Sequence, residues 1–347
     1  MDVRLSPEQV ALRESAAQVV DRLGVHRVAD LEDRERTAKL DAAVSASGWR
    51  ELRTPTDEGT PWASGVEVAI VAEELVRGLA DVAFLGATLA AELRRLTRAS
   101  AAAGPETVAL TADLVQAATA ESGRVPPGAV AIDAHGTGVA LVLEGAADGY
   151  TVGAAALEGE TIGVDLTRPS ASWSAPAPVT AISGESRSLH PDDVARWRGL
   201  GLAVTSADLV GVMRGALTLT SGYARDRHQY GSAIGSFQAV QHLLADAFVA
   251  MEGSRSIALH AAWAVDALPG PAALSAASAA KAYCARAARS VCETAIQVHG
   301  GIGNTWDSLA HVFLRRALLS SDVLGGVGPS LARVLSSRGI GGDDGLR

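Results

Sequence analysis

The sequence predicts a mainly α-helical protein with a central β region, in the order helices, strands, helices. Three observations predict it. Up to about residue 103, amphipathic segments near 7–22, 35–47, 64–79 and 84–100 repeat apolar residues at helical spacing. At Gly104-Pro105 that period stops, and glycine, proline, threonine and valine dominate to about residue 185. After Pro191 it returns in long runs rich in small residues, joined by short connections, which suits a tightly packed bundle. The chain therefore divides into an N-terminal helical domain (1–103), a small middle β barrel or sheet domain (104–188) and a C-terminal four-helix bundle (189–347).

Each element has a local reason. Ser6-Pro7-Glu8-Gln9 reads as a helix start: the serine can cap, proline suits the first turn, and Gln9 completes a capping box. Glu73-Glu74-Leu75 lies within an amphipathic helix. Short β-like runs, Gly138–Leu143 and Tyr150–Ala155, flank the hairpin dipeptide Asp148-Gly149. Leu209, Met213, Ala216, Leu217 and Thr220 share one helix face. Val240, Leu243, Leu244, Ala247, Phe248 and Met251 repeat the pattern, and Ala258, Ala261, Ala262 and Val265 extend it. Pro269 and Pro271 break the chain before an alanine-rich helix over about 272–298.

Composition narrows the function classes. With 347 residues, 48% of them hydrophobic and 20% charged, the chain can bury large cores and is not disordered. A formal net charge of −9 argues against a nucleic-acid surface. Cys284 and Cys292, eight residues apart on one helix, stand about 12 Å apart, too far for a disulfide. Buried reduced thiols and a cytoplasmic location are expected. The N-terminal MDVRLSPEQVALRE has no apolar signal core, and no span-length apolar run is evident, so neither signal peptide nor membrane span is expected. His228, His242 and His299 have no acidic residue at ligand spacing, so no metal is assigned to them.

The residues that carry chemistry lie in the bundle. Arg227-His228-Gln229-Tyr230-Gly231 is followed by Phe237-Gln238, with Gln238 eleven residues past the arginine, and then by Gln297-Val298-His299-Gly300-Gly301-Ile302-Gly303. Taken singly, Arg227 would be a solvated helix-end cation and the glycines a helix C-cap and turn. Together, RxQYG, the spaced FQ and QxHGGxG resemble the FAD-binding signature of the acyl-CoA dehydrogenase family. The resemblance is strongest over roughly 205–325 and extends weakly over the whole chain through the three-part order. Asp165-Leu166-Thr167-Arg168-Pro169 adds a phrase common in its actinobacterial-type members. The resemblance implies FAD as cofactor, held by Arg227, Gln229, Tyr230, Gln238, Gln297, Val298, His299, Gly300 and Gly301. An arginine fork suits the pyrophosphate, Gln238 can donate an amide hydrogen, Tyr230 offers a face to the adenosine, and the glycines allow close backbone approach. It also implies that these groups reach across a subunit interface to FAD held mainly by the neighbouring chain.

The carboxylate expected to abstract the substrate α-proton is missing. Family members carry it in one of two places, which correspond here to Leu324 and to Gly201, twenty-six residues before Arg227. The nearest carboxylates are Asp322 and Asp208. Asp208, in Thr205-Ser206-Ala207-Asp208, reads better as a first-turn carboxylate at a helix N-terminus, and Asp322 as a surface or capping residue. The family's Thr-Glu-Pro phrase is replaced by Val108–Asp113, and its Trp-x-Thr-Asn phrase has no counterpart. The resemblance thus implies a shortened subunit of an α2β2 heteromer that completes the FAD site of a homologous catalytic subunit. Such complexes desaturate acyl-CoA thioesters, steroid or other bulky ones included, and pass electrons to an electron-transfer flavoprotein or similar acceptor. Two alternatives stay open: a self-sufficient homo-oligomeric dehydrogenase with Asp208 or Asp322 as displaced base, and a non-catalytic structural subunit.

Overall fold

The computed structural model describes residues 4–184 and 187–340. The first three residues of the N-terminal stretch read for a signal sequence lie outside them. Four helices come first: α1 (Pro7–Leu23), α2 (Arg34–Ala46), α3 (Gly65–Arg77) and α4 (Leu85–Thr97). Ser6 caps α1 through its hydroxyl, with Gln9 closing the reciprocal half of the box. Ser64 and Glu67 do the same for α3.

The β region follows. Its strands are β1 (Glu106–Leu110), β2 (Thr119–Ala120), β3 (Arg124–Val125), β4 (Val130–Ala131), β5 (Val139–Ala146), β6 (Gly149–Ala156), β7 (Ala171–Ser172), β8 (Ala177–Pro178) and β9 (Thr180–Ala181). The main sheet runs β7-β4-β1-β5-β6-β9, with β2 also on β5, while β3 pairs with β8. Hairpin β5–β6 turns at Ala147-Asp148, one residue before the expected Asp148-Gly149, with Ala146 opposite Gly149 and Leu141 opposite Ala154. β1 runs parallel to β5, Val108 opposite Leu141. One sheet face packs Val108, Leu110, Leu141 and Leu143 into a core shared with α3, α4 and α5.

The rest is helical: α5 (Pro191–Asp226), α6 (Gln238–Ala267), α7 (Gly270–His299), α8 (Ala310–Asp322) and α9 (Val327–Ser337). A two-stranded hairpin, β10 (His228–Gln229) and β11 (Ser232–Ala233), sits between α5 and α6. Contrary to the expectation of no span-length apolar run, α5 is long and apolar enough to cross a membrane by length and composition. Its richest stretch has a mean hydropathy of 1.4, and 94% of that stretch is buried inside the protein, as in a core helix.

The glycines of α5 explain how a helix can be so enclosed. A Cβ on Gly211 would lie 2.3 Å from the Glu73 carbonyl oxygen, and one on Gly215 would lie 2.4 Å from the Phe313 ring. Glycine is what lets α3 and α8 approach α5 this closely. Cys284 and Cys292 are free and buried. Burial pushes the Cys284 thiol up to about 12, so it is inert as a nucleophile.

One expectation about α6 needs correction. The apolar repeat Val240–Met251 reads as a single core face, yet only Ala247 and Met251 are buried, while Phe248 is 55% and Val249 69% exposed. The helix carries a second, outward apolar stripe that includes Leu243, beside exposed Phe237 and Tyr230.

Candidate functional site

The signature residues come together at one end of the bundle. Arg227 is the C-cap residue of α5, and its carbonyl oxygen accepts from the amide of Ile234 at 2.8 Å, which folds the β10–β11 hairpin back. Tyr230 and Gly231 make the hairpin turn with φ of 52° and 79°, the doubly left-handed turn that matches strand twist. That geometry throws the Tyr230 ring outward, 95% exposed. Gln229 is exposed beside it, and Gln238 is exposed as the first residue of α6.

The second half of the signature lies at the C-terminus of α7. The His299 ring stacks on Tyr223 of α5, centroids 4.4 Å apart, and its Nδ1 lies 2.7 Å from the Ala295 carbonyl oxygen. His299 is therefore turned into the protein, where it ties the end of α7 to the end of α5. Gln297, Gly300 and Gly301 are exposed, with Val298 half-buried between them. Gly300 takes φ of 64°, a backbone state that favours glycine. A Cβ on Gly301 would meet nothing within 4 Å, so crowding inside this chain does not account for the missing side chain.

The carboxylates behave otherwise. Asp208 is not at a helix N-terminus. It lies in the middle of α5, 3% exposed. Arg168 pairs with its carboxylate, Arg316 donates to it at 3.1 Å, and the Ser320 hydroxyl donates at 2.9 Å. Burial alone would raise this carboxyl, but the two guanidinium groups outweigh it and hold the group at about 2. A carboxylate with that pKa is a poor proton acceptor near neutral pH. Around it, Arg316 donates to Thr167 at 2.6 Å, Thr167 to Asp165 at 2.7 Å, and Arg168 stands 3.9 Å from Asp133. Asp133 in turn accepts from the amides of Phe84 at 2.7 Å and Gly86 at 3.1 Å, satisfying the start of α4. The cavity left between these groups is about 10 Å³, space for little more than one water.

Asp322, by contrast, is exposed at the C-terminal end of α8. The two positions where the resemblance places a base face each other. A Cβ on Gly201 would lie 2.1 Å from Leu324 Cδ1 and 3.4 Å from Leu89 Cδ2, and Leu324 is fully buried. The turn holding Leu324 is pinned: its amide donates to the Leu114 carbonyl at 2.7 Å, and Lys281 donates to the Val323 carbonyl at 3.0 Å. Lys281 also donates to Thr205 at 2.9 Å and to the Ser320 carbonyl. Its burial pulls the ammonium pKa down to about 7.

Sequence reasoning did not single out Arg316, Ser320, Lys281 or Tyr223 for any role. Only Arg168 lay within a phrase already noticed, Asp165–Pro169. The partners of Asp208 come from residues 40 and 108 positions away, which no local pattern can connect.

Residues 201–328 match the family model described as acyl-CoA dehydrogenase, C-terminal domain. Acyl-CoA dehydrogenase IpdE2 of Mycobacterium tuberculosis is 31% identical over 282 residues, covering 80% of this chain and 79% of that protein. Other curated relatives are matched over only 21%, 42% and 40% of their own length, so against them the match spans less than half of the relative. Among solved structures, the Tcur3481-Tcur3483 steroid ACAD superposes with a TM-score of 0.78 at 23% identity, covering 96% of this chain and 98% of that one. The ChsE4-ChsE5 complex from Mycobacterium tuberculosis gives 0.76 at 21%, covering 98% and 99%. The chain belongs to the acyl-CoA dehydrogenase family.

Proposed function

We propose that this chain is a subunit of a heteromeric FAD-dependent acyl-CoA dehydrogenase and completes the flavin site of a homologous, catalytic partner chain. The observation that carries the reading is the contrast between two places. At the end of the bundle, the flavin-type residues stand exposed, and among the described residues the Arg227 guanidinium has no hydrogen-bond or ion-pair partner. In the interior, both base positions are closed by Leu324 packed on Gly201.

The residues present fit FAD. Arg227 would take the pyrophosphate, Gln238 would donate beside it, and Tyr230 would cover the adenosine. Gln297, Val298, Gly300 and Gly301 would bring backbone and amide groups close, and Gln229 would flank Tyr230. His299 would act on this set from behind, by fixing the loop. When bound, FAD supplies the two-electron acceptor for desaturation of the acyl thioester. This chain's share is to bind and orient, and the proton-abstracting carboxylate belongs to the partner.

The outward stripe of Leu243, Phe248 and Val249 supports a partner, since apolar surface of this kind is usually covered. An α2β2 assembly, a bulky or steroid acyl-CoA substrate and an electron-transfer flavoprotein as acceptor complete the proposal. They are suggested by the steroid ACAD and the ChsE4-ChsE5 complex that share this fold.

The test is to express the chain alone and with a homologue encoded beside it that has a base glutamate. The chain alone should be aggregated or flavin-poor, and the pair should be yellow and active. A monodisperse homotetramer of this chain with one FAD per subunit and acyl-CoA dehydrogenase activity would overturn the proposal.

A further inference from the structure

Away from the buried carboxylate cluster, a cavity of about 360 Å³ opens where the loop before α8 meets the segment ahead of Asp165. Its size falls at the small end of ligand pockets. Its walls sort by chemistry. Val164, Leu314 and Leu318 are apolar, while Asn304, Trp306, His311 and Arg315 bring hydrogen-bond donors, and no carboxylate lines it. In a protein of net charge −9, a cavity lined by an arginine and no acid is locally reversed in sign.

Asn304 and Trp306 present their donors at the exposed mouth of the cavity, Trp306 being 62% exposed. Among the described residues, no hydrogen bond is made by the Asn304 amide or the Trp306 indole N–H, and Arg315 reaches only the Val164 carbonyl, at 3.5 Å. His311 is 8% exposed, and its Nε2 is buried with no partner. The His311 ring meets the Trp306 ring edge-on at 5.0 Å, and the Arg315 guanidinium lies 5.9 Å from the Trp306 ring centroid. Burial, helped by the nearby Arg315, holds the His311 pKa down, so Arg315 is the fixed positive charge here.

We propose that this cavity binds a small anion, a carboxylate or phosphate borne on an apolar or aromatic body. Arg315 takes the anionic group with a forked contact. The Asn304 amide and the Trp306 indole nitrogen supply further hydrogen bonds, and His311 forms the wall behind them. Leu314, Leu318 and Val164 hold the body. The site does not rest on the flavin reading, because none of its lining residues is among those assigned to FAD.

The probes are benzoate, phenyl phosphate, inorganic phosphate and neutral benzyl alcohol, titrated by calorimetry into the purified full chain in the assembly it forms. The expected result is saturable binding of benzoate or phenyl phosphate, one per chain, with benzyl alcohol at least tenfold weaker. Which of the two anions binds tighter identifies the carboxylate or phosphate class. Arg315→Gln should weaken binding at least tenfold with the circular dichroism unchanged. Trp306→Phe, which keeps the apolar wall and removes the indole N–H, should weaken it several-fold. Should Arg315→Gln misfold, the Trp306→Phe result and the benzyl alcohol comparison still decide. Equal affinity for benzyl alcohol, no effect of either variant, or no saturable binding because a partner covers the cavity would overturn the proposal. So would competition by ADP, which would assign the cavity to the flavin.

Discussion

Replacing Asp208 by asparagine separates a structural carboxylate from a catalytic one. The side chain keeps its size and loses its charge, leaving Arg168 and Arg316 buried around a neutral amide. The folded state holds the Asp208 carboxyl at about 2 against an ordinary 3.8, a difference worth roughly 2–3 kcal/mol at about 1.4 kcal/mol per unit. Stranding one side of a buried ion pair usually costs about 3–5 kcal/mol, because the remaining charge is uncompensated. Asp208→Asn should therefore lower stability to denaturant by about 3–5 kcal/mol. At the same time, kcat per assembled, flavin-loaded enzyme should stay within a few-fold of wild type. The pH dependence has a definite sign. A depressed carboxylate contributes stability above the unfolded value near 3.8, and that contribution is lost as pH falls through about 2. The variant should lack that acid limb. Removal of a true proton-abstracting base would instead lower kcat by ~10²–10⁴. A collapse of kcat with assembly, flavin content and stability intact would refute the reasoning and make this chain a dehydrogenase in its own right.

Other outcomes follow from the same geometry. Asp322→Asn, at an exposed helix end, should change neither stability nor kcat by more than about twofold, since surface substitutions usually stay within ~0.5 kcal/mol; steady-state kinetics and a melt check it. Arg227→Ala should weaken FAD retention in the assembled protein by roughly 2–4 kcal/mol, read as flavin content after gel filtration, and unchanged content would reduce Arg227 to a helix-end cation. Gly201→Ala puts a methyl 2.1 Å from Leu324 Cδ1 and should destabilise by about 1–3 kcal/mol, with partial rescue by Leu324→Ala in a double-mutant cycle.

Much of this architecture was legible because it is written in local periods. The Ser6 capping box and the break at Pro269 each act within a few residues and form where the sequence places them, and the β5–β6 hairpin turns one residue before Asp148-Gly149. Asp208 was misplaced for an equally local reason. Thr205-Ser206-Ala207-Asp208 has the composition of a helix start, but those hydroxyls serve another purpose. Thr205 and Ser206 both donate back to the Leu202 carbonyl, at 3.1 and 2.7 Å, satisfying themselves in mid-helix instead of capping. Just before them, Gly201 has no room for a side chain, since a Cβ there would lie 2.1 Å from Leu324 Cδ1. Leu243 and Phe248 show a second limit. Apolar residues at helical spacing announce a face to be covered, but the same signal serves a core and a subunit interface.

The closed interior is more than a missing glutamate. A carboxylate placed at position 324 would sit in a fully buried site against Gly201 and Leu89. An unpaired buried carboxylate is strongly disfavoured and tends to protonate instead of ionising. Making room would disturb a turn held by Leu114, Arg333 and Lys281 at once, with Leu324 itself at φ of 64°. Nearby, Arg168, Arg316, Asp208 and Asp133 fill the space between α3, α4 and α8 with paired charges that hold one another in place. Among the described residues, none of these makes a hydrogen bond or ion pair with Arg227, Tyr230 or Gly301. The packing that closes the interior is therefore separate from the exposed surface around Arg227, Tyr230 and Gly301.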